Sequence, residues 1–220
     1  MKIICIIPAR LGSVRIKKKN LIDFKGKPLI HWTLKQSIRI PQINKIILSS
    51  DSKKLIKFSK SISQNILFNI RPKSLSKSSS KTESVIKYLV EKYTISSKDY
   101  ILILQPTSPL RQDKDIKNII QILKKKKLKT LHSVTTNHKK TEIFSSSFIH
   151  FIKKRKIIDT SLKYSYNGAI YLFSASYFKK KNTIYEKKPN IYIMNKKHSL
   201  DIDDYIDLKG YSNLKISTNT

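Results

Sequence analysis

At 220 residues the chain has room for one domain with a sizeable core, and nothing in it calls for a second. Lys and Arg number 46 against 14 Asp and Glu, a formal net charge of +32, which would ordinarily point to nucleic acid or an anionic surface. Here the excess is nearly all lysine, spread over every segment beside heavy use of Ile, Asn and Ser, residues with A- and T-rich codons, so base composition accounts for it and a nucleic-acid partner is not expected.

The single cysteine, Cys5, rules out an internal disulfide and suits a reducing cytoplasm. No apolar run approaches the ~20 residues of a membrane span. The N-terminal run stops at Pro8-Ala9-Arg10, too short for a secretory signal, so a soluble, cytoplasmic, unprocessed chain is expected.

The unbroken run Ile3 to Ile7 reads as a central parallel strand covered on both faces, ended by Pro8. It empties into a loop in which Gly12 lets a ligand approach the backbone and Ser13 offers a hydroxyl. Arg10, Arg15, Lys17, Lys18 and Lys19 surround them with positive charge suited to a triphosphate. The loop is neither a Walker A sequence nor a dinucleotide fingerprint, since the required glycines are missing.

Phe24 to Pro28 reads as a turn with Pro28 at the first helical position, followed by a helix packed through Leu29, Ile30, Trp32, Thr33, Leu34 and Ser37. Lys45 to Ser50 is a second strand, with Asp51 placed to cap a helix from about Lys53. This rhythm implies right-handed crossovers and a largely parallel sheet. Asn65 to Ile70 is a third strand before Arg71-Pro72 and a Ser- and Lys-rich loop, Lys73 to Lys81. A helix follows from Thr82 to Tyr93, with Val85, Ile86, Leu89 and Val90 inward.

Tyr100 to Leu104 is a further central strand, ending in Gln105-Pro106-Thr107-Ser108-Pro109-Leu110-Arg111. Two prolines stiffen that turn while Gln105, Thr107, Ser108 and Arg111 offer polar groups at the carboxyl edge, where ligands of open α/β sheets sit. A helix from about Asp113 to Lys127, a strand from Leu128 to Val134, a weakly periodic stretch from 137 to 163, and strands at Asn167 to Phe173 and Asn190 to Met194 complete the pattern. In Asp201-Ile202-Asp203 the alternation turns both carboxylates one way and Ile202 inward. They suit either magnesium beside a nucleotide phosphate or a helix cap, and Asp204 and Asp207 suit the first turn of the closing helix.

Four collinear motifs resemble those of the acylneuraminate cytidylyltransferases, enzymes that activate sialic and related nonulosonic acids as CMP-sugars. They are Pro8 to Asn20 (PARLGSVRIKKKN), Leu104 to Arg111 (LQPTSPLR), Asn167 to Tyr171 (NGAIY) and Asp201 to Asp203 (DID). The resemblance implies a three-layer α/β fold of the nucleotide-diphospho-sugar transferase, Rossmann-like type: a mostly parallel central sheet with helices on both faces. It implies CTP and a nonulosonic acid as substrates, a Mg2+ cofactor and a homodimer.

By the same resemblance Arg10, Gly12, Ser13, Arg15, Lys19 and Asn20 would line the triphosphate and ribose, and Arg71 would lie near the cytosine. Gln105 and Asn167 would serve the sugar, and Asp201 and Asp203 would hold the metal, with Lys19, Arg10 and the two aspartates carrying the catalysis. The chain departs from the pattern at Val14, where lysine is common, and at Ser165-Tyr166, where Arg-Pro is common. The segment 137 to 163 is short for a dimerisation arm, and Arg155 is its candidate for the sugar carboxylate. Activation of legionaminic, pseudaminic or 3-deoxy-manno-octulosonic acid, and a degenerate CTP or nucleic-acid binder, are the alternatives.

Overall fold

The computed structural model describes residues 1–136 and 164–216, with side chains through residue 211. The expected arm at 137–163 and Arg155 lie outside the described residues. In chain order, β1 (Ile3–Pro8) precedes a small hairpin, β2 (Asp23–Phe24) and β3 (Lys27–Pro28), and then α1 (Leu29–Arg39), β4 (Lys45–Ser50), α2 (Lys53–Lys60) and β5 (Leu67–Ile70). There follow α3 (Thr82–Lys92), β6 (Tyr100–Leu104), α4 (Asp113–Lys126), β7 (Thr130–Thr136), β8 (Tyr164–Ser174), α5 (Ala175–Lys181), β9 (Ile191–Ile193) and α6 (Tyr205–Ile216).

Seven strands form one sheet in the order β5-β4-β1-β6-β8-β7-β9. The sheet is mostly parallel, with β8 running against both β6 and β7. Its two faces are the two sides of the β1 alternation. Ile3, Cys5 and Ile7 pack with Ile30 and Leu34 of α1, Leu55 of α2 and Ile116, Ile119 and Leu123 of α4. Ile4 and Ile6 pack with Val85, Ile86 and Leu89 of α3 and Phe178 of α5. Burial of each such side chain contributes about 1.5–3 kcal/mol, which is why an unbroken apolar run reads as a strand covered on both sides.

The chain leaves β1 toward β4 and β5 and then returns to β6 on the other side of β1. Strand order therefore reverses between β1 and β6, and the loops leaving their carboxyl ends diverge around a crevice. Those loops are 9–18 and 105–112.

Several local expectations change. Pro28 closes the hairpin and stands just before α1 instead of opening it. Asp51 does not cap α2; Ser52 does, its Oγ accepting from Leu55 N at 3.2 Å. The NGAIY strand, whose direction the sequence leaves open, runs antiparallel to both of its neighbours in the sheet. Arg111 does not present its guanidinium at the sheet edge but buries it completely.

His132 on β7 is fully buried against the rings of Tyr166, Tyr171 and Tyr185, with centroids 5.3 to 5.8 Å away. Its Nε2 donates to the carbonyl of Ile184 at 2.7 Å, since a carbonyl can only accept. Burial pulls its pKa down to about 4. In the unfolded chain the imidazole takes up its proton near pH 6.5, so the unfolded state is favoured as pH falls from there toward the folded value, and the loss levels off below it. Urea unfolding at pH 7 and pH 5 is expected to show about 2 kcal/mol of stability loss in the native chain that His132→Phe does not show. Equal losses in both proteins would contradict this.

Candidate active site

Loop 9–18 makes few backbone hydrogen bonds of its own and is built by side chains. Ala9 N donates to Ser49 O at 2.9 Å, continuing the β1–β4 ladder by one residue. Asn20, buried in a 3-10 turn at Lys19–Leu21, donates its Nδ2 to Arg10 O at 2.7 Å. Ile16 is fully buried between flanking cations and packs with Phe24, Leu29 and Ile202. The loop is thus pinned on an apolar peg while Gly12, Val14, Arg15, Lys17 and Lys18 stay exposed.

The Asp201-Ile202-Asp203 segment is tied to both loops at a single residue. Ile202 N donates to Thr107 O at 2.8 Å, and Ile202 O accepts from Lys19 Nζ at 2.9 Å. The Asp203 carboxylate faces the same cations, 3.1 Å from Lys19 Nζ and 3.5 Å from Arg15 Nη2. Capping of α6 falls to other groups. Asp204 Oδ1 accepts from Ile206 N and Asp207 N, and Asp207 Oδ2 accepts from Asp203 N and Asp204 N. Asp204 and Asp207 thus hold the helix, while Asp203 faces Lys19 and Arg15 and Asp201 stands beside Gly168.

The NGAIY segment bulges toward Asp201. Between the pairs His132–Tyr171 and Val134–Tyr166, the residues Asn167 to Ile170 of β8 face only Ser133 of β7. The Ser133 hydroxyl gathers the bulge, donating to Asn167 Oδ1 at 2.6 Å and accepting from Ile170 N at 2.8 Å. Asn167 is itself buried, with Nδ2 donating to Ser199 Oγ at 3.0 Å and facing Met194 Sδ at 3.3 Å. Its amide thus joins β8 to the segment leading into Asp201. Gly168 takes φ of +73°, and a Cβ there would stand 3.1 Å from Asp201 Oδ2.

Arg111 braces the other wall. Its Nη1 donates to Ala169 O at 2.6 Å and to Gln105 O at 3.4 Å, and its Nη2 to Thr33 Oγ1 at 3.0 Å. Gln36 Nε2 in turn donates to the Arg111 carbonyl. Burial lowers the guanidinium's pKa to about 10, leaving it charged at neutral pH. Gln105 is half-buried at the mouth of this loop, whereas Thr107 and Ser108 are buried within it.

Arg71, the residue after β5, is buried against the end of β4, donating through Nη2 to Ser49 O at 2.9 Å and through Nε to Ser49 Oγ at 3.3 Å. Burial pushes its pKa down, Asp51 pulls it up and neighbouring Arg10 pushes it down again, which puts these three charges in one neighbourhood. Arg10 also donates Nη1 to Lys77 O at 2.9 Å, latching loop 73–81 to loop 9–18. Arg10, Asn20 and Arg71 thus gather around loop 9–18, Arg15 and Lys19 meet Asp203, Asn167 and Gly168 stand beside the segment that carries Asp201, and Gln105 is half-buried at the start of loop 105–112. Asp51 and Ile16 are not among the site-building residues expected from the sequence, and Arg111, expected as a polar group at the sheet edge, is instead a buried brace. Only Ile16, an apolar residue set among cations, carried a visible signal.

For a metal, the chain offers Asp201 and Asp203. Among the described residues no three His, Cys, Asp or Glu side chains gather into a metal-holding group. Two carboxylates beside a cation-rich loop suit magnesium, which keeps several waters and shares phosphate oxygens where it binds beside a nucleotide. The residues present fit that ion.

A family model described as cytidylyltransferase matches residues 4–215. The chain belongs to that family. An N-acylneuraminate cytidylyltransferase of Escherichia coli O18:K1:H7 is 29% identical over 218 residues, covering 94% of this chain and 51% of the relative. The chain thus spans about half the length of that protein. A CMP-N,N'-diacetyllegionaminic acid synthase of Legionella pneumophila is 28% identical over 218 residues, covering 94% of this chain and 93% of the relative. A solved structure of CMP:2-keto-3-deoxy-manno-octonic acid synthetase complexed with CTP shares the fold, at a TM-score of 0.68 and 12% identity, with 99% of each chain covered.

The Gly168–Asp201 approach is directly testable. Alanine at 168 would carry a side chain into left-handed backbone and push against Asp201, so Gly168→Ala is expected to lower stability by about 1–2 kcal/mol in urea unfolding. Unchanged stability would show that the bulge relaxes freely.

Proposed function

We propose that the chain transfers CMP from CTP to the anomeric hydroxyl of a nonulosonic acid and releases pyrophosphate. The observation that supports this reading is the double tie at Ile202, which joins the Asp201–Asp203 segment to Lys19 and to the Gln105 loop, with the Asp203 carboxylate against Lys19 and Arg15. In such a transfer the anomeric oxygen bonds to the α-phosphorus as the bond to the pyrophosphate oxygen breaks, and the protein mainly positions the partners and offsets charge. Lys19, Arg10 and Arg15 would neutralise the triphosphate, with Gly12 and Ser13 admitting it close to the backbone. Arg71 would sit at the cytosine end.

Gln105 would bind sugar hydroxyls, with Asn167 acting through the bulge it holds. Asp201 would accept the anomeric proton. A magnesium ion held by Asp201 and Asp203 would offset phosphate charge and acidify the attacking hydroxyl. The reading includes a homodimer and a cytoplasmic setting. Among the described residues no helix is long and apolar enough to cross a membrane.

Sialic, legionaminic and pseudaminic acids share the reacting 2-keto acid end and differ in distal substituents, so the choice among them is a matter of pocket shape. Pyrophosphate release from CTP with magnesium, measured over a panel of these acids with ATP, GTP and UTP as controls, tests the proposal. Release with CTP and one acid supports it and names the substrate; no release from folded protein with any acid overturns it. Asp203→Asn is expected to cut turnover by at least about 100-fold with the unfolding midpoint retained, a scale typical of removing a charge that acts in the transition state. Near-native turnover would reduce Asp203 to a surface partner of Lys19 and Arg15.

A further inference from the structure

The peptide unit joining Arg10 to Leu11 is gripped at both polar ends. Its carbonyl accepts from Asn20 Nδ2 at 2.7 Å, and its N–H donates to Asp51 Oδ1 at 2.7 Å. A peptide unit is planar, so fixing its two ends fixes its plane, and with it the direction in which Arg10 leaves the chain and in which the following residues, Gly12 and Ser13, enter the crevice. Asn20 comes from the end of the same loop, but Asp51 comes from another element, the residue after β4. Nothing in the loop itself supplies the second grip.

We propose that Asp51 is a positioning residue for the nucleotide: its carboxylate oxygen holds the Arg10–Leu11 peptide in the orientation that receives the triphosphate. Three observations converge on it. Ser52 caps α2, which leaves the Asp51 side chain available for the loop. The Asp51–Leu11 bond is short for an N–H to carboxylate contact and partly buried, conditions under which a charge-assisted bond is strong. Asp51 also shares its neighbourhood with both Arg10 and Arg71, so one carboxylate offsets the mutual repulsion of the two arginines at this end of the crevice. The inference rests on the reading above that this loop receives CTP.

The test compares Asp51→Ala, which removes the acceptor, with Asp51→Asn, which keeps an acceptor oxygen and loses the charge. CTP binding is titrated calorimetrically in the full chain with magnesium, and the KM for CTP and for the sugar acid are measured by pyrophosphate release. Asp51→Ala is expected to weaken CTP binding and raise its KM by about tenfold, the scale of one lost charge-assisted hydrogen bond, with sugar KM unchanged. Asp51→Asn is expected to recover part of that loss, the share carried by an acceptor oxygen without its charge. A general loss of structure would instead raise both KM values together and lower the unfolding midpoint, and would overturn the assignment. So would CTP affinity in Asp51→Ala equal to the native value, or Asp51→Asn as weak as Asp51→Ala, while native CTP binding left the functional reading intact. Absence of CTP binding by the native chain would overturn that reading and this inference with it.

Discussion

The site depends on how one buried residue, Ile202, is held. Its side chain is fully buried beside Ile16, Phe24 and Leu29, while its N–H is given to the Gln105 loop and its carbonyl to Lys19. Burial of such a side chain contributes about 1.5–3 kcal/mol and each hydrogen bond about 1 kcal/mol, more where one partner is charged. Three chain segments far apart in sequence therefore meet at one point, and the carboxylates on either side of it gain a fixed position. The same apolar cluster seats Ile16, so the phosphate-type loop and the aspartate segment are anchored on a common surface.

Charge explains the rest of the arrangement. In a chain with 14 acidic residues against 46 basic ones, carboxylates are scarce, and two of them stand at the two ends of the phosphate-type loop. Asp203 faces Lys19 and Arg15, and Asp51 lies near Arg10 and Arg71. The loop's cations are thereby held together by protein carboxylates, while the exposed ones still present their charge outward. Arg111 follows a different rule, its buried guanidinium taken up by carbonyl oxygens and a hydroxyl. That choice makes it a brace between the Gln105 loop and the β8 bulge, where the sequence reading saw an exposed polar group.

Much of the fold was legible because its elements obey simple periodicities. The apolar runs at Ile3 to Ile7 and Tyr100 to Leu104 are central strands, and Val85, Ile86, Leu89 and Val90 are the buried stripe of α3. The direction of β8 was not legible, since strand polarity depends on which neighbour it meets and not on its own residues. The role of Asp51 was hidden for a related reason. An aspartate before a helix looks like a cap, and only the approach of Leu11, 40 residues earlier, shows that its oxygen is used elsewhere. Within the site, the motif residues around Gly12, Gln105 and Asp201 were visible individually, but their convergence on Ile202 rests on contacts between segments more than 90 residues apart.

The most direct test of this account is a crystal structure of the chain with CTP and magnesium. The triphosphate is expected along Gly12 and Ser13 with Lys19 beside it, the base toward Arg71, and metal density between the phosphates and the Asp201–Asp203 pair. A nucleotide bound outside the crevice between loops 9–18 and 105–112, or an ordered nucleotide–metal complex that leaves both aspartates without contact, would contradict it.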